Sequence, residues 1–293
     1  MEYRLEHPET RPIGTAGQGA AFEGLRCLIT GASSGIGYGM AERLLQRGAA
    51  EVLLCSRSEA RMREAAETLN VRYGRVRWRA LDVRDAEGLR AFADEMAAEG
   101  PIDFLFANAG VSMAHAFEQT ERGDFERVMD INFWGVYNAD RAVLGHMLAR
   151  GGGTVLNVAS MEGYIAAGYH SAYVSSKFAV MGLTEALRQE YRDRGIRFAA
   201  VCPGPVRSNI WGRDNRGEVH TEYQAPENAL TELEAADEIL AGLEEERNVI
   251  LVTDTARIAW QKQREKPDSA DRWAIRYTEA TRRVAEFSAK LEK

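Results

Sequence analysis

Cysteine is scarce in this chain of 293 residues, which holds only Cys27, Cys55 and Cys202. Each lies in an apolar, strand-like run, so a disulfide framework is excluded and the thiols read as buried hydrophobes. Such thiols, with no signal-peptide pattern at the start, predict the reducing cytoplasm. Histidine is scarce too, and the five present show none of the spacings of a metal site. His115 and His170 read as polar loop residues near predicted ligand-binding ends. No apolar run approaches the roughly 18 residues that a membrane-spanning helix needs. Positive charge is outweighed, giving a net charge of −7, which argues against a nucleic-acid partner or an anionic membrane surface. No Pro-, Gly- or Ser-rich linker divides the middle of the chain, and the length suits one large α/β domain with a substantial core.

What the sequence does contain is an alternation of short β-rich runs and helical patterns. Strands are expected at 25–30, 52–55, 76–81, 104–107, 154–159, 198–202 and 249–252, with helices at about 35–47, 58–70, 85–99, 124–150 and 173–194. This βαβ spacing predicts a doubly wound, Rossmann-type parallel sheet of about seven strands, with helices on both faces. Residues 1–22 read as a flexible arm, 23–253 as the catalytic domain and 254–293 as a helical C-terminal extension. Within the domain, 205–226 is irregular and polar with Trp211 as an apolar anchor, and reads as a lid. Val284, Phe287 and Leu291 lie at helical spacing, so the tail is expected to pack on the body or on another subunit.

In such sheets, ligands bind outside the carboxyl ends of the strands, and the polar motifs fall there. The first strand runs into Gly31-Ala32-Ser33-Ser34-Gly35-Ile36-Gly37 and then directly into a helix. Glycines permit a sharp turn and close approach of phosphate oxygens, while the helix start offers free N–H groups to a pyrophosphate. About twenty residues on, where an NAD site usually presents a carboxylate to the ribose, stand Ser56 and Arg57. Serine does not repel a 2′-phosphate and a guanidinium can clamp one, so NADP is favoured and NAD is the alternative. Asp82-Val83 ends the third strand with an acceptor for an adenine amino group, or with a helix cap. Asn108-Ala109-Gly110 ends the fourth, where asparagine can tie strand ends together and Gly110 leaves room for the cofactor. Pro203-Gly204-Pro205-Val206 closes the sixth, with Ser208 as a further hydrogen-bonding group.

Ser160 ends the fifth strand, and Tyr173 and Lys177 follow, one helical turn apart on one face. An ammonium beside a phenol favours the phenolate, and a serine hydroxyl can polarise a carbonyl nearby. Together they form equipment for moving a proton to or from an alcohol oxygen. Asn132 sits in an otherwise apolar helical stretch and needs partners. It reads either as a structural bond across the helix or as the holder of a water in a relay toward Lys177.

T-G-A-S-S-G-I-G, Asp82-Val83, Asn108-Ala109-Gly110, Asn132, Ser160, Y-V-S-S-K and the Pro203-Gly204 turn stand in the order of the short-chain dehydrogenase/reductase family, which residues 23–253 resemble. The resemblance implies an NAD(P)-dependent oxidoreductase interconverting a secondary alcohol and a ketone. Hydride passes between the nicotinamide and the carbinol carbon, Tyr173 is the acid/base, Lys177 holds the ribose and lowers the tyrosine pKa, Ser160 orients substrate and Asn132 supports the relay. It also implies a homodimer or homotetramer pairing helices near 124–150 and 173–194. Ser208 departs mildly from the threonine usual there. Met113, His115, Met161, Tyr164, Tyr169 and Trp211 are expected as substrate walls, favouring a bulky apolar or aromatic small molecule. A 3-oxoacyl-carrier-protein-type reductase is the rival within this chemistry, disfavoured by the lid and tail. A catalytically silent NADP-binding sensor or scaffold is the rival of another class, disfavoured by the complete set Asn132, Ser160, Tyr173 and Lys177.

Overall fold

Along the central strands both parities of residue are apolar, which suits a sheet covered on two faces. Leu28, Leu53, Leu105, Val155 and Phe198 point into one core, while Cys27, Ile29, Val52, Leu54, Phe104, Phe106 and Leu156 point into the other. The structure, a computed structural model, describes residues 22–208, 210, 225–265 and 267–291. Seven parallel strands form one sheet in the order β3-β2-β1-β4-β5-β6-β7. They are β1 (Arg26–Thr30), β2 (Glu51–Ser56), β3 (Val76–Ala80), β4 (Phe104–Ala107), β5 (Gly153–Val158), β6 (Ile196–Pro203) and β7 (Val249–Val252). Strand order reverses between β1 and β4, and the crevice at such a reversal is where these sheets take ligands.

The helices are α1 (Gly35–Gln46), α2 (Glu59–Tyr73), α3 (Ala86–Glu99), α4 (Arg122–Met129), α5 (Gly135–Arg150), α6 (Ser171–Tyr191), α7 (Glu232–Glu244), α8 (Asp254–Glu265) and α9 (Pro267–Leu291). The expected long helix at 124–150 is two helices, α4 and α5, joined by a π turn at Asp130–Trp134. That turn contains Asn132, whose side chain binds the backbone of Val111 on a neighbouring segment. The α7 start carries a full capping box between Thr231 and Glu234. Phe22, the last residue of the expected arm, is buried in the core with the Arg47 guanidinium 5.7 Å from its ring centroid. The rest of the arm and most of the expected lid, Trp211 included, lie outside the described residues. All three cysteines are free and buried, as expected.

Candidate active site

Residues from six of the seven strand ends, all but that of β7, with the start of α1 and the inner face of α9, enclose a cavity of about 700 Å³. One end of it is the cradle between β1 and α1. Gly31, Ser33, Ser34, Gly35 and Ile36 line it, and Ser34 caps α1 without spending its side chain on the helix. Two glycines are fixed by space. A Cβ at Gly31, which sits at φ +67°, would stand 2.7 Å from the Ala109 Cα, and one at Gly37 would stand 2.6 Å from both the Asn108 Nδ2 and the Gly31 carbonyl. Gly37 therefore does not line the cavity but lets α1 close against the end of β4. Asn108 ties the strand ends as expected, donating to the carbonyls of Thr30 (3.1 Å) and Gly31 (3.2 Å), while the Thr30 hydroxyl accepts from the N–H groups of Asn108 and Ala109. Val206 and Ser208 close this end from the far side.

At the outer rim stand Ser56, Arg57, Asp82 and Val83, joined by Arg61 of α2, which the sequence reading did not single out. Its signal was a second arginine four residues after Arg57. The Ser56 hydroxyl is buried and has no partner among the described residues. Both Asp82 oxygens are taken by Arg84, at 3.0 Å from its Nε and 2.7 Å from its terminal nitrogen, and this hydrogen bonding holds the carboxyl below its usual range. An adenine amino group would share that acceptor. A glycine cradle, an uncapped helix start and an orphaned buried hydroxyl fit a dinucleotide, with Gly110 between the cradle and Lys177 giving room for its nicotinamide end.

At the other end are Ser160, Tyr173 and Lys177, all lining the cavity. Lys177 donates to the Val158 carbonyl at 2.9 Å and lies 5.6 Å from the Tyr173 ring centroid. Burial pushes its ammonium down to about 8, which leaves it mostly protonated at neutral pH. Burial and the nearby Glu162 charge push the Tyr173 phenol up, with hydrogen bonding from Ser160 opposing them. Desolvation is the largest influence on the Tyr173 phenol, and it acts against the lowering expected from Lys177.

Asn132 is fully buried and does not line the cavity. Its Oδ1 accepts from the Val111 N–H at 2.8 Å, and its Nδ2 donates to the Val111 carbonyl (2.9 Å) and the Ser176 hydroxyl (3.0 Å). Of the two readings of this side chain, the geometry carries the structural one. It pins the segment after β4 to the π turn and to α6, one residue before Lys177.

The walls beyond Tyr173 differ from those expected. Of the six wall candidates, Met161 lines the cavity and Met113, His115, Tyr164 and Tyr169 do not. Tyr164 donates to the Ala256 carbonyl at 2.7 Å and packs edge-on against Trp260, so it anchors α8. Met113 packs with Val128 and Ala172. His115 and His170, read as loop residues, are both buried. The cavity wall is supplied by Glu162, His170, Ile210 and Pro226, and by Tyr277, Ala280, Thr281, Arg283 and Val284 of α9. Only the helical spacing that includes Val284 hinted at this. Thr278 accepts from the Gly168 N–H (2.9 Å) and Thr281 donates to the Gly168 carbonyl (2.7 Å), clasping α9 to the turn before α6.

The family described as short chain dehydrogenase matches residues 26–219. The oxidoreductase UcpA of Salmonella typhimurium is 37% identical over 215 residues, which cover 73% of this chain and 80% of that protein. A short-chain dehydrogenase/reductase of Burkholderia phymatum, solved with NAD, superposes with a TM-score of 0.73 at 25% identity over 82% of this chain and 94% of its own. An alcohol dehydrogenase of Thermococcus sibiricus, solved with 5-hydroxy-NADP, gives 0.68 at 26% identity over 78% of this chain and 95% of its own.

Proposed function

The chain belongs to the short-chain dehydrogenase/reductase family and is an NAD(P)-dependent oxidoreductase; we propose that it uses NADP(H) to interconvert a secondary alcohol and a ketone at Tyr173. The observation that carries this reading is the convergence of Ser160, Tyr173 and Lys177 on one cavity with the glycine cradle. The bound nicotinamide supplies or accepts the hydride. Tyr173 donates its phenolic proton to the carbonyl oxygen in reduction and takes it back in oxidation. Ser160 hydrogen-bonds the same oxygen, holding it in line with the phenol. Lys177, fixed by the Val158 carbonyl, holds the ribose hydroxyls and places positive charge beside the phenol as it loses its proton. Asn132 acts on the reaction as a positioning residue, through the π turn and Ser176.

NADP is favoured over NAD by Arg57 and Arg61 flanking the orphaned Ser56 hydroxyl, with no carboxylate at the end of β2 to repel a 2′-phosphate. Met161, Ile210, Tyr277, Ala280 and Val284 support a bulky apolar or aromatic substrate. Trp134 and Tyr137, half-exposed and edge-to-face at 5.5 Å, and the half-exposed Phe178 of α6 are suited to covering by a second copy of the chain in a homodimer or homotetramer. Three buried free thiols suit the cytoplasm, and among the described residues no helix is long and apolar enough to cross a membrane.

The test is a panel of aliphatic, aromatic and thioester-linked ketones, followed by NADPH and NADH absorbance. NADPH consumption with aryl or other bulky ketones is expected. Preference for acyl thioesters would favour the acyl-carrier-protein rival, and cofactor binding without turnover of any alcohol or ketone would favour the silent sensor.

A further inference from the structure

Beside Tyr173 the cavity holds an acid and a base that the reaction does not use. Glu162 and His170 are both buried and both line the cavity. The His170 Nδ1 lies 3.0 Å and 3.2 Å from the two Glu162 oxygens, and the imidazole meets the Tyr173 ring at an angle, with centroids 5.7 Å apart. A carboxylate withdrawn from water is costly unless paired. Neither cofactor binding nor the proton transfer at Tyr173 calls for one here.

The pair is held on both sides. The Glu162 N–H donates to the Ser160 hydroxyl at 3.1 Å, so the carboxylate rides on the same turn as Ser160. His170 follows Tyr169, a non-glycine residue at φ 64° whose carbonyl accepts from the His115 N–H at 2.7 Å. A bulky residue in the left-handed region persists only where its surroundings impose it, and such residues gather at functional sites. Gly168, one residue earlier, is the residue clasped by Thr278 and Thr281.

A neutral imidazole whose Nδ1–H is held by a carboxylate carries its lone pair on Nε2. The Nε2 of His170 has no partner among the described residues. His170 lines the cavity beside the Tyr173 phenol, in a wall that also carries Met161, Ile210, Ala280 and Val284, so this nitrogen is left to hydrogen-bond a ligand. We propose that His170, oriented by Glu162, selects substrates that carry a hydroxyl close to the reacting carbon: α- or β-hydroxy ketones and the corresponding diols, with an apolar remainder against α9. This rests on the alcohol/ketone reading above and names its substrate class. A site built to bond a hydroxyl rejects the analogue lacking it, because the buried acceptor is then left unpaired.

The experiment separates this selection from the reaction. Binding of 1-phenylethane-1,2-diol and of its near-isostere 1-phenylpropan-1-ol is measured by calorimetry in the presence of NADPH, with which neither can be oxidised. The wild type is expected to bind the diol about tenfold more tightly, and His170→Phe to bring the ratio close to one. Because that variant leaves Glu162 buried and unpaired, the double variant Glu162→Gln/His170→Phe, which removes the charge as well, is measured beside it and should show the same ratio. A wild type that binds the two alike, or binds neither, overturns the proposal, as does a preference that survives in the folded variants. Reduction of 2-hydroxyacetophenone by the wild type is scored separately: its absence counts against the reaction reading and leaves the binding ratio to decide this one.

Discussion

The two ends of the cavity are built in different ways. The cradle end draws on β1, β2, β3, β4 and α1, and each polar group lies within a few residues of a strand terminus. The Tyr173 end draws on the turn after β5, the start of α6 and a helix clasped to it from 110 and 113 positions away. The first is an arrangement of backbone: glycines, N–H groups and short side chains whose spacing is set by the sheet. The second is an arrangement of side chains, including a buried acid–base pair, on segments that the sheet does not itself position. The cofactor cradle thus sits on the sheet, while the groups proposed for proton transfer and for selection of substrate sit on the turns and helices around it.

Substitutions should separate the two. The largest effect on the cradle is expected from Gly37→Ala, whose methyl group must displace the Asn108 amide or the Gly31 carbonyl. Cofactor affinity should fall by more than about tenfold, from overpacking at this contact, while apolar alcohols still compete at the far end; fluorescence titration of NADPH measures it. Arg57→Ala should leave NADH use near its starting level and lower the NADPH/NADH ratio of kcat/KM by about tenfold, the worth of a charge-assisted hydrogen bond. An unchanged ratio removes Arg57 from cofactor choice.

The smallest effect lies outside the cavity lining and should disturb neither end. Asp140 is buried, with its Oδ2 accepting from Asn157 at 3.0 Å, and burial pushes its carboxyl from 3.8 to about 8. The unfolded chain releases this proton near its ordinary value while the folded chain retains it. The resulting stabilisation is therefore complete below pH 3.8 and is lost as pH rises toward and through about 8. Asp140→Asn should flatten that part of the stability–pH curve, read as Tm from pH 5 to 8.5, with kinetic constants unchanged at neutral pH.

The same contrast explains what the sequence disclosed. Seven strands, their order of appearance and the glycine, Asn108 and Tyr173–Lys177 motifs were legible because each is local and imposed by the βαβ pattern. The π turn at Asp130–Trp134 was not, since its cause is a bond from Asn132 to Val111, 21 residues away. The walls were misjudged for a related reason. Tyr164 and Met113 have the composition of a binding surface, but their partners, Ala256 and Trp260 for one and Val128 and Ala172 for the other, turn them into packing. His170 looked like a loop residue because a lone histidine carries no sign of the Glu162 eight positions earlier that buries with it. Arg61 was hidden as one of three arginines of α2. In each case the missing information was a contact between segments, which composition and period do not encode.

Tyr173 is the centre of the proposed reaction. Tyr173→Phe keeps the ring and removes the phenol that lines the cavity with Ser160 and Lys177. With a ketone found in the panel, kcat should fall by about 10²–10⁴, the worth of general acid catalysis, while the NADPH dissociation constant changes by less than about twofold because the cradle is untouched. Turnover that survives this substitution, or cofactor affinity lost in step with it, would contradict the assignment.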